Sequence, residues 1–532
     1  MDYKNAGLLH FKLISKRERL TTPIWLVSII LFTIGLAAAM QDVLGTTYEE
    51  LFYFATAFAN PAMEAMMGPL PQVLNYGSVF SLVMLLWVAI SVGIMNIFFV
   101  IKHTRADEEK GRLEVLRSLP IGRNSILHAV MINAIQINAI LAILTGIGLF
   151  LVGDSSMSFW ASMLWGVYLG VVGYVFASVA ALFAQLSQNS RGAKAYSFAA
   201  MGFFYILRAV GDTGVPFLSI ISPLGIFPFA ELFVNNNILP LLTPLAIGLS
   251  THTLAYKLNS IRDIDQGFIA TKKGVNYGKI RTTLSLSIKL TKTSFIWWVI
   301  IMFVVAGSYA SIFGDIESFV EGNEFYAQLL MVSDGFTITQ LFAGMIINIM
   351  AICVAIPVIS FVLRIRSEEK ENRADALLAC PVDRKTYLST YVLIAFASSI
   401  VLQIISAVGM YSVAATIVEN IEYELPFLQL LLANIVYLPA IWFLLGLVIF
   451  LIGVAPKLSS WIWIYLAFAF IMMMFGRLVE EAQFLENISP MAYIPQVPID
   501  EINWISLIIM TTISGILSVI GFLGYSKRDI NV

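Results

Sequence analysis

Arg112-x-Glu114-x-Leu116-x-x-x-Pro120-x-x-Arg123 recurs in this chain as Arg373-x-Asp375-x-Leu377-x-x-x-Pro381-x-x-Arg384, displaced by 261 residues (373 − 112). The flanking sequence repeats in the same order. Ser222-Pro223-Leu224-Gly225-Ile226-Phe227-Pro228 returns as Ser489-Pro490-Met491-Ala492-Tyr493-Ile494-Pro495, Trp25 as Trp297, Arg208 as Arg477, and Arg262-Asp263-Ile264 as Arg528-Asp529-Ile530. One such match has little weight. Five in the same order at nearly constant offset indicate an internal duplication, which decides how everything between them is read.

The material being duplicated is lipid-soluble. Of the 532 residues 59% are hydrophobic and 12% charged, with a mean hydropathy of +0.84, whereas soluble domains run at about 45–50% apolar and about 25% charged. A helix needs about 20 apolar residues to cross a bilayer core. Twelve such runs lie near 23–40, 76–101, 125–153, 157–185, 194–211 and 238–257, then near 294–313, 337–364, 385–417, 425–453, 459–476 and 502–524. The first run, from Pro23, is span-length without a small-residue cleavage site, so it reads as a retained span rather than a signal peptide. The two cysteines, Cys353 and Cys380, imply neither a disulfide framework nor a metal site.

Charge sets the topology. Thirty of the 32 Lys and Arg fall in the segments before the first run, after each even-numbered one, and between the fourth and fifth and the tenth and eleventh. Basic short loops stay cytoplasmic, so both termini are expected inside. The opposite loops carry Asp42, Glu49, Glu50 and Glu64, then Asp315, Glu317, Glu321, Glu324 and Asp334, then Glu419, Glu422 and Glu424. An even number of spans per half makes the halves parallel and related by an axis along the membrane normal. The expected fold class is therefore an all-α polytopic membrane protein, with two parallel six-helix repeats in pseudo-two-fold symmetry. The halves are residues 1–257 and 291–532, joined by a polar, basic connector over 258–290.

The exceptions to the charge rule are Arg208 and Arg477, each four residues before an acid, Asp212 and Glu481. That spacing pairs charges on a helix, so a paired helix end and an external gate are both open readings. Pro223 and Pro490 either punctuate ordinary loops or form re-entrant caps over a pathway. Met63, Met66 and Met67 are an adaptable surface for a greasy substrate or simple packing.

Catalysis is not indicated. No phosphate-binding Gly-x-x-x-x-Gly-Lys-Ser/Thr occurs, no His/Glu zinc motif occurs, and the chain has four His in total. Glu64, Asp154, Asp212 and Glu231 sit at or beyond external span ends, so no acid relay of the kind ion-driven transporters carry in mid-membrane is evident. Energy is expected to enter through the cytoplasmic loops. The segment Arg105 to Arg123 mixes charges of both signs with leucines at helical spacing, and predicts a short amphipathic helix ended by Pro120. Asp107, Glu108, Glu109 and Glu114 would be repelled by anionic headgroups, so a protein partner suits it better than a membrane surface.

The Glu108-Glu109-x-Gly111-Arg112-x-Glu114-x-Leu116 segment, with Pro120 and Arg123, resembles the coupling helix of permease subunits of type-2 ATP-binding-cassette exporters. The duplicated form, with Asn60-Pro61-Ala62-Met63 leading to Gly68-Pro69, is similar to exporters of polyketide and polyether antibiotics. The likeness spans essentially the whole chain, and the basic leaders Leu9 to Leu20 and Lys279 to Lys292 match interfacial elbow helices of such permeases. It implies a bacterial plasma-membrane protein that moves a hydrophobic or amphipathic small molecule outward and binds no nucleic acid. It also implies a separate ATP-binding-cassette ATPase, in two copies, that carries the ATP and magnesium; this chain would hold no cofactor. Carried over by position, Glu108, Glu109, Gly111, Arg112, Glu114, Leu116, Pro120 and Arg123, with Glu368, Glu369, Arg373, Asp375, Leu377, Pro381 and Arg384, would couple the spans to the ATPases. The second copy has Glu371-Asn372-Arg373 where the first has Lys110-Gly111-Arg112, so the glycine is missing and the two contacts are expected to be unequal. Substrate-binding residues do not follow from the sequence. An ion-coupled secondary transporter of parallel six-helix repeats is the alternative, and a lipid-handling or sensory membrane protein a third class.

Overall fold

A computed structural model describes residues 13–44, 48–56, 61–118, 121–269, 282–314, 337–418, 425–475, 487–497 and 499–529. Pro120, Arg477, the first leader up to residue 12, and the acids of the loops at 315–336 and 419–424 lie outside them. The described residues are helical apart from turns and one isolated bridge between Ser187 and Ile269. The chain divides into two units, Met1–Gly274 and Val275–Val532.

In the first unit the long helices are α1 (Thr21–Leu44), α2 (Tyr76–His103), α3 (Ser125–Leu151), α4 (Phe159–Leu186), α5 (Ser190–Thr213) and α6 (Leu242–Ile261). In the second they are α7 (Thr283–Ala310), α8 (Ile338–Lys370), α9 (Arg384–Ile417), α10 (Phe427–Ile435), α11 (Leu438–Val454), α12 (Ile462–Phe475) and α13 (Trp504–Lys527). Their starts are set by side chains that satisfy the free N–H groups of a first turn. Asn75 accepts from Ser78 N at 2.8 Å while Ser78 Oγ accepts from Asn75 N at 3.1 Å. Thr337 and Gln340 make the same reciprocal pair ahead of α8, at 3.3 and 3.2 Å.

Ten stretches among the described residues are long and apolar enough to cross a membrane, against the twelve expected. The shortfall is α5 and α6, which are helices of span length at the expected places. Their polar content lowers the mean: α5 carries Arg191, Lys194, Arg208 and Asp212, and α6 carries Ser250-Thr251-His252-Thr253 and Lys257. The expected span at 425–453 is broken around Tyr437, where α10 ends and α11 restarts with Pro439 in its first turn. The second expected leader is no separate helix, since from Thr283 it runs unbroken into α7. Among the described residues of the first leader, Ser15–Arg17 form a helical turn.

In the first unit α4 is central and packs on α3, α6 and α2, with α1 against α3 and α2. In the second unit α11 packs on α13, α8 and α9, with α7 against α9 and α8. Small residues allow these close crossings, since dispersion rather than water expulsion holds helices together in lipid. A Cβ on Gly453 of α11 would stand 2.0 Å from the carbonyl oxygen of Gly521 of α13, and one on Gly166 of α4 2.1 Å from that of Ala142 of α3. In the first core Asn96 of α2 and Asn138 of α3, both buried, exchange amide hydrogen bonds at 3.0 and 2.9 Å.

Candidate functional site

The duplicated motif begins where α2 and α8 leave the apolar core. After α2 the chain continues as a helical turn, Arg105–Glu109, and then breaks at Gly111, whose φ of 68° is left-handed. A second short helix, Arg112–Arg117, follows. The single amphipathic helix expected over this segment is thus two pieces at an angle, because a left-handed residue cannot continue a right-handed helix. The second unit does the same: α8 runs to Lys370, Asn372 is left-handed at φ 56°, and Arg373–Leu378 forms the short helix. The missing glycine therefore does not remove the turn, since asparagine also tolerates this conformation. A Cβ at Gly111 would meet no atom within 4 Å, so only backbone preference is at stake. Gly111→Asn is expected to be nearly neutral and Gly111→Val to cost about 1–2 kcal/mol; thermal unfolding of the two variants in detergent measures the difference.

Behind each break is a network of buried charges whose main pairs recur in both units. In the first unit Arg262, just beyond α6, grips both oxygens of Glu108 at 2.8 and 2.7 Å. Arg105 Nη1 lies 2.9 Å from Glu108 Oε2, and the backbone N–H of Asp265 donates to Oε1 at 2.8 Å. Arg123, at the start of α3, donates to the carbonyls of Asn259 and Arg262. Asp107 pairs with Arg112 at 2.8 Å and Arg17 at 2.5 Å. In the second unit Arg528, just beyond α13, pairs with Glu369 at 2.5 Å, and Arg366 with the other oxygen at 3.1 Å. Arg384, at the start of α9, donates to the carbonyl of Arg528 at 2.6 Å. Glu368 pairs with Arg373 at 2.6 Å.

Glu108, Glu368 and Glu369 are each 4–6% exposed and paired with arginines of their own unit. Glu108 and Glu369 join the stretch ahead of the break to the arginines just beyond α6 and α13, and Glu368 joins it to Arg373 of the short helix. Glu109 is exposed, and accepts from the backbone N–H and hydroxyl of Ser190 at the start of α5, at 2.8 and 2.5 Å. The pairing also shifts the register: Glu369 occupies the place of Glu108, and Glu368 that of Asp107. Asp107, Arg105, Arg366, Arg262 and Arg528 were missed as members, although an offset of 261 from Glu368 points directly to Asp107.

Leu113 is buried, and Leu116 and Leu377 pack half-buried on their cores, while Ala374 is fully buried. The faces turned outward are Lys110, Arg112, Glu114, Val115 and Ser118 in the first unit, and Arg373, Asp375, Ala376, Ala379 and Pro381 in the second. Val115 is 70% exposed between charged neighbours, a small apolar spot on a polar turn. Glu18 ties the chain ahead of α1 to the same region, with Lys102 Nζ at 2.6 Å and His103 Nε2 at 2.7 Å from its carboxylate. Burial acts to raise this carboxyl, but the hydrogen bonds from His103 and Lys102 outweigh it and hold it at about 2.

At the opposite end of α5, Arg208 Nε pairs with Asp212 at 2.6 Å, as the spacing predicted. Both side chains are 2% exposed; the pair is enclosed rather than reaching for the interface. Arg208 also donates to the carbonyls of Ala65 and Met66 at 3.1 and 3.0 Å, and Ser219 donates to Asp212 at 2.5 Å. Pro223 and Pro490 are buried corners, each behind a serine whose Oγ accepts from the N–H two residues on, Leu224 and Met491. Among the described residues no His/Cys/Asp/Glu cluster could hold a metal ion.

A family model described as "Multidrug efflux system permease Rv1217c, C-terminal domain" matches residues 16–251 and 280–526. The Multidrug efflux system permease protein Rv1217c of Mycobacterium tuberculosis is 29% identical over 539 residues, covering 98% of this chain and 95% of that protein. With helices built to cross a membrane and a match over nearly its whole length, this chain belongs to the Rv1217c family of multidrug efflux permeases.

Proposed function

We propose that the chain is the transmembrane permease subunit of an ATP-binding-cassette exporter in a bacterial plasma membrane, moving a hydrophobic or amphipathic compound outward. A separate ATPase, in two copies, supplies the energy and carries ATP and magnesium. The observation that supports this best is the pair of matching constructions after α2 and α8. Each has a long apolar helix, a left-handed break, a short exposed helix and a buried ion-pair network fixing the residues just before the break to the end of the last helix of its unit. Two docking points of like construction suit two copies of one partner. A rigid frame behind each would carry a push from the ATPase into α2 or α8 without being lost in bending. Family membership supports efflux, and the polyketide or polyether class of cargo rests on resemblance. Matching helix pairings in the two units support two parallel six-helix repeats, with α5 and α6 as spans and the Arg208–Asp212 pair of α5 enclosed. On this reading the ends carrying the basic loops, and both termini, face the cytoplasm.

The ion-coupled alternative needs an acid free to change its charge within the membrane. Asp212 is enclosed, but Arg208 is fixed beside it, which suits a structural pair better than a relay. Inverted membrane vesicles from the native host separate the two. Accumulation of a hydrophobic dye is expected to require ATP and to survive a protonophore; accumulation driven by a proton gradient without ATP would favour the alternative.

A further inference from the structure

A small cleft of about 50 Å3 opens between α1, α2 and α3, at the end of the helices where the buried network lies. Its walls are Trp25 of α1 and Met95, Phe98 and Phe99 of α2. They suit hydrocarbon. The floor holds Asn96, whose amide groups are consumed by Val92 and Asn138. The floor therefore asks nothing polar of a ligand, and any charge recognition is left to the rim.

The rim is basic. Lys102 lines it with its side chain 45% exposed, and pairs with Glu18 at 2.6 Å; an ammonium has three N–H donors, more than this contact uses. Lys194 Nζ stands 5.7 Å from the centroid of the Phe98 ring, so a second cation borders the same wall. Glu18 is the opposing charge, and it is already engaged by Lys102 and His103. Thr21 and Thr22, in the first turn of α1, also line the cleft; the Thr22 N–H is taken by the carbonyl of Glu18, so the charge at the rim is that of the two lysines. An apolar slot with a cationic rim, between membrane helices, fits an anion carried on an apolar tail.

We propose that this cleft binds the phosphate headgroup of an anionic phospholipid from the cytoplasmic leaflet, with the acyl chains along Trp25, Phe98 and Phe99. Only the choice of leaflet rests on the orientation given under Proposed function; the binding itself needs neither ATPase nor transport. Free phosphate shares the headgroup chemistry but gains nothing from the aromatic walls.

The test is native mass spectrometry of the delipidated full chain, titrated with phosphatidylglycerol or with phosphatidylcholine of the same acyl composition. The first phosphatidylglycerol is expected to bind at least tenfold more tightly than phosphatidylcholine. A lysine near such a headgroup is worth about fivefold, so Lys102→Gln should lose that much, with Lys102→Arg restoring most of it. Lys194→Gln, which leaves the Glu18 contacts intact, should lose a similar amount and keeps the test valid where Lys102→Gln folds poorly. Inorganic phosphate should not displace the lipid. Equal affinity for the two lipids, unchanged affinity in both glutamine variants, or displacement by phosphate alone would each overturn the proposal. Loss of ATP-driven dye uptake with these lipid affinities intact would count against the exporter reading and leave this one standing.

Discussion

Replacing Arg262 with methionine is expected to destabilise the first unit by about 3–5 kcal/mol, the cost of leaving a buried charge without its partner. Glu108 would then keep Arg105 and one backbone N–H, but lose both bonds to the guanidinium that closes it against the end of α6. The combined Glu108→Gln, Arg262→Met variant should recover only part of the loss, since buried Arg105 then loses its carboxylate and keeps the carbonyls of Gln188 and Gln266. Arg528→Met should cost less, because Arg528 makes a single bond to Glu369, which keeps Arg366. Unfolding followed by detection of aggregation in detergent ranks the variants. A midpoint for Arg262→Met equal to that of the native chain would show that the network carries no structural load.

Reversing the charges on the outward faces, Glu114→Lys together with Asp375→Lys, is expected to abolish ATP-driven export, by at least tenfold, with no comparable loss of stability. Both side chains are exposed on their short helices, and among the described residues neither forms an ion pair. Exposed substitutions of this kind usually change stability by no more than about 0.5 kcal/mol. A change at Glu108 would stop export too, but through collapse of the frame, so the comparison separates docking from folding. Reversing Glu108 with Glu109 and Arg112 mixes the two effects and is the poorer experiment.

The all-helical membrane class and most helix positions were legible from the sequence, because apolar length is a property of composition. What composition does not show is placement: Arg208 and Asp212 of α5 are paired and turned inward. The motif was also legible as a motif, but its ion-pair partners were not. Arg262-Asp263 and Arg528-Asp529 were visible as repeats, while their partners, Glu108 and Glu369, lie far away in sequence; only folding joins them. The asparagine at 372 was read as a departure from Gly111, although both adopt the same backbone conformation. Pro223 and Pro490, read as loop punctuation or as caps over a pathway, are buried corners, and Arg477 lies outside the described residues.

The most direct test of the account is affinity purification of the tagged full chain in mild detergent, with identification of its bound proteins and an ATPase assay on the complex. The account predicts a nucleotide-binding subunit in stoichiometric amount and ATP hydrolysis in the complex, both lost in the Glu114→Lys, Asp375→Lys variant while the permease itself remains folded. A well-folded native chain that purifies without an ATPase, or a variant that retains it in full, would contradict the claim that the two short helices dock the motor.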